Sequence, residues 1–464
     1  MRRSSLGTIA FTPEGSGEFV FAFLRNLWLV ITTVNIRIAK LGRGLMFLSP
    51  RWIAMAALLF STVALGGSPE FQVHDGDTVV FYGDSITNQR LYTVFTEAYV
   101  LTHFPHIHVT FVHSGSSGDR VSGGANGPID LRLERDVFAH NATVITVMLG
   151  MNDAEYRPFE VELFNKFTSG YRHILDTIRS EAPNARVTLL EPSPYDDFTR
   201  SPKFAGGYNS VLLKYGKFVR EIGAANGLTV ANLNAPVVAF LKTANSVSTE
   251  LAQTLIEDRV HPSPGVHLVM AEALLRAWHA PSLVSSVGID ASTGAVHAEN
   301  TAVDSVVLEG GLSWTQVDNA LPMPVEVDDE TLALTLRCSD FTDSLNQETL
   351  KITGLRPGSY RLQIDDEVVA TFPAWQLARG INLAVLKTPM SRQAQTVLDL
   401  TYRHNHLRFA RVMMVENALK EYRPTKLQAA IDAMDFLREE IVSLQRAAAI
   451  PKPHRYRLSA DHIR

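Results

Sequence analysis

The middle of this chain predicts a doubly wound α/β sandwich on three observations. Between Asp77 and about Ala280, short continuous apolar runs recur, longer amphipathic segments alternate with them, and small polar knots stand where several runs stop. Runs that are apolar throughout suit strands buried on both faces, as in a parallel sheet. Alternation with helical periodicity is the signature of helices packed on both sides of that sheet.

The predicted strands are TVVFYG (78–83), HVTFVHSG (108–115), VITVMLG (144–150), RVTLLEPS (186–193) and LTVANLN (228–234). Between them, QRLYTVFTEAYVLTHF, EVELFNKFTSGYRHILDTIRSE, NSVLLKYGKFVREIGAANG and APVVAFLKTA repeat apolar positions at helical spacing. Gly227 follows the third as a helix C-cap does, and PGVHLVMAEALLRAWHA starts a last apolar helix behind a proline. Residues 73–282 make this domain. Residues 283–390 are short runs and turns, such as GLRPGSYRLQI followed by IDDEVVATF, and predict a small antiparallel β unit; LALTLRCSD is read among these runs. Residues 391–464 return to amphipathic spacing and predict C-terminal helices, the second bracketed by Pro424 and Pro451.

Residues 1–72 form an N-terminal segment. The stretch 19–34 is apolar but broken by Arg25 and Asn26; 53–65 is uncharged, follows Arg43 and Arg51, and precedes GGS. A short apolar core behind positive charges reads as a signal peptide, with Met46 as the start, a mature chain from near Gly67, and export as the outcome. The rival is a membrane-anchored chain that retains the segment. The 464 residues carry a formal net charge of −5 with no basic stripe, which excludes a nucleic-acid partner. Cys338 is the single cysteine, read as a small buried residue; it allows no internal disulfide and no thiolate zinc site.

Four places carry candidate chemistry. Gly83-Asp84-Ser85 puts a hydroxyl just past a strand, where a base can activate it; a helix N-cap serine explains the same letters. Gly118, after the second strand, can present its N–H to a ligand, or form a plain turn. Asn152, in GMND, offers an amide donor to an oxyanion, or closes an Asx turn. In DRVHPSPGVH, Asp258 and His261 stand three apart, so the carboxylate can hold one ring nitrogen and leave the other as a base. His267 lies on the following helix with no acid at a matching spacing. No metal is expected: nothing near Asp258, His261 and His267 completes a ligand set.

In this order, FYGDSIT, SGSSGDRV, LGMND and DRVHPSP resemble the SGNH hydrolases, also called GDSL-type lipases and esterases, over about residues 73–281. The resemblance implies a flavodoxin-like three-layer α/β/α sandwich with a parallel sheet. It implies ester hydrolysis through an acyl-serine, without a cofactor. Ser85 matches the nucleophile, His261 the base and Asp258 its orienting acid. The Ser85 N–H, Gly118 and Asn152 match the oxyanion donors. The second block departs from the pattern, since an asparagine often leads it and His113 or Ser114 stands there. TGLRPGSYRLQID, GINLAVLKTPM and QRAAAIPKPH are similar to the tail of some bacterial SGNH proteins of unassigned substrate.

The resulting expectation is an exported serine esterase acting on O-acetylated carbohydrate or a small acyl ester. A lysophospholipase or thioesterase is the alternative within the family. A catalytically silent carbohydrate-binding protein, with Trp314 and Trp375 as sugar platforms, is the alternative outside it.

Overall fold

The structure is a computed structural model that describes residues 70–419, 421–422 and 425–461. The apolar segments at 19–34 and 53–65, the start at Met46, the cleavage near Gly67 and the bracketing Pro424 lie outside the described residues. Among the described residues no helix is long and apolar enough to cross a membrane.

Strands β1 (Thr78–Gly83), β2 (Thr110–Gly115), β3 (Val144–Met148), β4 (Arg186–Leu190) and β5 (Thr229–Ala231) form one parallel sheet in the order β2-β1-β3-β4-β5. The sequence runs overshoot β3, β4 and β5 because the chain leaves the sheet there to build loops. The predicted helices are α2 (Leu91–His103), α4 (Val161–Glu181), α5 (Gly207–Ala225), α6 (Asn234–Val247) and α8 (Pro264–Ala277). Shorter helices α1 (Ser85–Asn88), α3 (Ile129–Asp136) and α7 (Thr249–Thr254) lie in the connections. Phe167 and Tyr171 of α4 meet Tyr215 and Phe218 of α5, while the Tyr92 ring of α2 stacks on His267 of α8. The result is the three-layer α/β/α sandwich with a parallel sheet.

Beyond residue 283 the chain builds two further sheets. Strands β6 (Leu283–Asp290), β7 (Val296–Glu299), β8 (Thr301–Val307), β9 (Leu312–Asp318), β10 (Gln347–Thr353), β11 (Ser359–Ile364), β12 (Glu367–Pro373), β13 (Ile381–Asn382) and β14 (His454–Ala460) pair in the orders β8-β9-β14-β11-β12 and β13-β10-β6-β7. Pairing is antiparallel except for β6 with β10, which run parallel. One cluster holds Val287, Leu350, Trp314, Leu362 and Tyr456 from both sheets, so this part has its own core. Trp314 is buried there, stacked on Tyr456 at 4.9 Å, whereas Trp375 is 62% exposed on the short helix α11 (Ala374–Arg379).

Three readings of the sequence change here. LALTLRCSD is not a β run: it forms helix α9 (Glu330–Cys338), because the Asp329 carboxylate accepts the Thr331 and Leu332 N–H groups and caps it. That helix packs on α8, and with it Met323, Leu332, Leu334 and, from the short helix α10 (Phe341–Leu345), Phe341 and Leu345 join the core of the α/β sandwich. Residues 391–464 are not helical to the end. Helices α12 (Pro389–Phe409) and α13 (Leu427–Ala449) form, but Pro451 and Pro453 end the helical stretch and HRYRLSA pairs as β14 between β9 and β11. Its alternation of buried Tyr456 and Leu458 with exposed Arg455 and Arg457 is a period of two, the mark of a strand. Cys338 is half-buried at the end of α9 instead of deep in a core.

The C-terminal helices touch both cores. Met390 and Ala394 of α12 belong to the second core, Leu398 to the first, and Val397 packs on Leu101 of α2. Glu97, fully enclosed on α2, fastens this contact. Its carboxylate accepts from His404 (2.6 Å) and Asn405 (3.1 Å) of α12, Gln445 (3.2 Å) of α13 and His113 (3.0 Å) of β2. Burial pushes the Glu97 carboxyl up, but the His404 charge and the hydrogen bonds from His113 and His404 outweigh it and hold it well below the usual carboxylate range. A depressed carboxyl stabilises the fold above the unfolded-state value of about 4 and loses that contribution only as pH falls through its own lower value. Glu97→Ala therefore strands four donors, and it is expected to lower stability by about 3–5 kcal/mol at pH 7 in urea denaturation. A loss below about 1 kcal/mol would contradict this role.

Candidate active site

Two glycines let the site form. A Cβ on Gly83 would meet Thr87 Oγ1 at 2.2 Å, and one on Gly115 would meet the Asn88 backbone nitrogen at 2.1 Å. With both absent, α1 tucks directly over the ends of β1 and β2. Asp84 caps it, its carboxylate accepting the Ile86 N–H at 3.0 Å, and Ser85 becomes its first residue.

The structure brings Ser85, His261 and Asp258 together. Ser85 Oγ lies 2.8 Å from His261 Nε2, and His261 Nδ1 lies 2.6 Å from Asp258 Oδ2. Asp258 Oδ1 accepts the N–H groups of His261 (2.7 Å) and Val260 (2.9 Å), which fixes the carboxylate under the ring. Burial pushes the Asp258 carboxyl up, but the hydrogen bonds from the His261 side chain and the two backbone N–H groups prevail, and it stays below its ordinary value. The pair is open to solvent, with side chains 41% (His261) and 54% (Asp258) exposed. Arg259 between them adopts φ 74°, left-handed backbone that turns the loop back. Its guanidinium donates to the carbonyls of Asp196 (3.1 Å) and Ser201 (3.0 Å), and its own carbonyl accepts the Asp196 N–H.

Gly118 stands in a left-handed turn at φ 76°, with open space on its Cβ side. Among the described residues neither its N–H nor that of Ser85 is taken by a protein acceptor. Asn152 is oriented from both ends: Nδ2 donates to the Asp119 carbonyl at 3.0 Å and Oδ1 accepts the Tyr156 hydroxyl at 2.7 Å. That leaves the amide one further N–H. Glu155 and Tyr156 both have positive φ, 55° and 58°, so the loop after β3 is bent to deliver the phenol. Nothing in the local pattern marked Tyr156 or Arg259; positive φ at a non-glycine has no composition cue.

His267 is a core histidine. Its Nδ1 accepts the Tyr92 N–H at 3.2 Å, its Nε2 faces Gln89 Oε1 at 3.1 Å, and burial pushes it down to about 3. At the head of the second block, His113 is held by Thr93 (2.6 Å) and Glu97, and Ser114 donates to the Asp136 carbonyl. These side chains serve packing beneath the loop.

Residues 81–268 match the model of the GDSL-like lipase/acylhydrolase family. The domain belongs to that family. An acetylxylan esterase from Geobacillus stearothermophilus is 23% identical over 225 residues, spanning 44% of this chain and 95% of that one. A solved structure of an acetylxylan esterase from the same organism covers 45% of this chain and 96% of its own at 22% identity, with a TM-score of 0.37. A gut microbial diltiazem-metabolizing enzyme superposes over 85% of this chain and 100% of its own, with a TM-score of 0.74 and 25% identity. The GDSL-like chain is a carboxylic ester hydrolase.

Beneath its site lie three buried acids. Among the described residues, Asp84, Asp119 and Asp153 each keep one carboxylate oxygen without a partner. Asp119 also meets Arg132 at 2.7 Å, and Asp153 accepts the Val121 N–H at 3.0 Å. Burial pushes Asp153 up to about 7, and burial with the neighbouring Asp153 and Asp119 charges does the same for Asp84. An acid raised on folding holds its proton in the native state, so stability falls as pH rises from about 4 to about 7. Asp153→Asn, which keeps an acceptor for Val121, removes that loss. Denaturation series are expected to show a gain of about 1–3 kcal/mol at pH 8 that vanishes near pH 4. An equal effect at both values would refute the buried charge.

Proposed function

We propose that the protein hydrolyses esters through an acyl-serine formed on Ser85. The observation that carries this is the continuous hydrogen-bonded line from Ser85 Oγ through the His261 ring to Asp258, at 2.8 and 2.6 Å. A serine hydroxyl is a weak nucleophile until a base takes its proton. As Oγ attacks the ester carbonyl carbon, its proton passes to His261 Nε2. Asp258, held ionised, stabilises the imidazolium and keeps Nδ1 as the donor toward itself. The carbonyl oxygen becomes an oxyanion facing the Ser85 and Gly118 N–H groups and the remaining N–H of Asn152. Collapse breaks the bond to the alcohol, which leaves with the proton from His261. Water then loses a proton to the same nitrogen, attacks the acyl carbon, and the acid departs as Oγ recovers its proton.

O-acetylated carbohydrate, or a small acyl ester, is the substrate class this reading favours. The exposed rim of His261 and Asp258 admits a bulky, polar alcohol half, and an acetylxylan esterase is among the relatives. Turnover of p-nitrophenyl acetate by the wild type and its loss in Ser85→Ala, with labelling of Ser85 by a serine-directed phosphonate, is the expected result. A clean wild-type preparation that neither turns over nor labels would favour a silent binding protein instead. Asn152→Ala is expected to lower kcat by about 10²–10³ in a variant that circular dichroism shows to be folded. An unchanged kcat would remove Asn152 from the oxyanion site.

A further inference from the structure

We propose that the cleft beside the edge strand β2 is an anion-binding subsite for a carboxylate or phosphate group, carried on the alcohol half of the ester. The second clause rests on the esterase reading above; the first does not. The cleft has a volume of about 390 Å³, within the range of about 300–1,000 Å³ usual for small-molecule pockets. Six arginines line it: Arg90, Arg132, Arg135, Arg408, Arg411 and Arg438. Among the described residues three carboxylates face them, Asp136, Glu416 and Asp435, in a chain whose formal net charge is −5. The positive excess is therefore local.

Three of the six are neutralised within the protein. Arg132 pairs with Asp119 and Asp136, Arg135 with Asp136, and Arg411 with Glu416 and Asp435. Among the described residues the other three have no carboxylate partner. Arg90 lies over the Phe409 ring at 4.1 Å and reaches only the Asn405 carbonyl, with its Nε buried and unbonded. Arg408 donates to His140 Nε2 at 3.3 Å. Burial, then the Arg438 and Arg411 charges, push Arg408 down to about 10. Asp435 and Glu97 oppose that push but do not cancel it. Burial and the same kind of neighbours, Arg408 and Arg411, push His140 down to about 4, so its ring is neutral and can accept. Cations that outnumber the carboxylates facing them, and are partly dried, destabilise the fold, and an oxyanion placed among them relieves that cost. Guanidinium groups offer the forked donors that carboxylate and phosphate oxygens accept.

The cleft also shares a helix with the nucleophile. Asn88 lines it, stands one turn of α1 from Ser85, and donates to Ser117 Oγ at 3.2 Å, next to Gly118. Gly115, at the end of β2, forms part of the same wall. Phe409 and Met413 add apolar surface on which a sugar ring can rest.

The test titrates the full chain with sodium phosphate and with galacturonate, using galactose as the neutral control, at fixed ionic strength by calorimetry. Saturable binding of the anions but not of galactose is expected, weakened at least tenfold in Arg408→Gln and Arg438→Gln and largely kept in Arg438→Lys. Circular dichroism and unliganded melting confirm folding, and if Arg408→Gln does not fold, Arg438→Gln with Arg90→Gln carries the comparison. No saturable anion binding, or binding that both variants leave unchanged, overturns the subsite. In a kinetic arm, kcat/KM for an O-acetylated methyl galacturonoside is expected to exceed that for the matching galactoside at least tenfold, a ratio that shrinks toward one in Arg438→Gln. Anion binding with a ratio near one in the wild type keeps the subsite but overturns its assignment to the substrate, making the ligand a free anion. Absence of turnover on every ester, p-nitrophenyl acetate included, overturns the esterase reading, while the titration still decides the cleft.

Discussion

One hydrogen bond, between groups 176 residues apart, is what the rest of the catalytic half has to satisfy. The proposed proton transfer needs Ser85 Oγ and His261 Nε2 within about 3 Å, so the end of β1 and the loop before α8 must be held in register by everything between them. The serine side is rigid because Gly83 and Gly115 let α1 sit against the sheet. The histidine side is a loop, and it is braced. Arg259 ties it to the 196–201 segment, and Gln89 on the serine side donates to the Pro262 carbonyl at 3.2 Å. Helix α8, which follows, is locked to α2 through His267 and Tyr92. It is also locked to α9, because Gly265 leaves room for the Thr331 carbonyl that a Cβ would meet at 2.3 Å. Residues of α9 thus buttress the loop that carries His261 through α8.

The electrostatics around this bond are uneven. On one side, acids crowd below Ser85, each with one oxygen unbonded among the described residues; on the other, six arginines crowd the cleft, three of them without a carboxylate partner among the described residues. Arg132 stands between the two groups, buried, bonded to Asp119, Asp136 and the Ser114 carbonyl. Protein interiors tolerate such clusters when function needs the field they make, and stability bears the cost. The acids are screened from the mouth by burial, whereas the arginines line open space, so a ligand at the rim meets the positive side.

How much of this was legible in the sequence follows from how local each signal is. Continuous apolar runs, and polar residues at their ends, disclose the parallel sheet and place Ser85, Gly118, Asn152 and the Asp258–His261 pair in order, because each is a short stretch with its own period or spacing. LALTLRCSD misled because its few alternating apolar letters fit a strand, while the helix depends on a cap at Asp329 and on burial against α8. Strand β14 was legible in HRYRLSA but lay in the shadow of two strong helical patterns. Glu97 carries no local mark at all. It reads as one polar residue in an apolar helix, and its partners stand at 113, 404, 405 and 445. The arginine cleft is likewise assembled from four separate stretches of chain, so no composition window could have shown it.

That assembly also says what the C-terminal region does for the enzyme. It is not an appended module: β14 sits inside its sheet, between β9 and β11, so the last described strand completes the second core. On the way there the chain crosses the catalytic domain twice, in α12 and α13, and Glu97 pins both crossings. Arg408, Arg411 and Arg438 come from this passage, and Arg90, Arg132 and Arg135 from the catalytic domain. A GDSL-like domain cut at 282 would keep Ser85, His261 and Asp258 but would lose half the arginines, two of the donors to Glu97 on α12, the one on α13, and the helix that packs on α8. The extension therefore shapes the surroundings of Ser85, because both halves of the chain build the cleft beside β2.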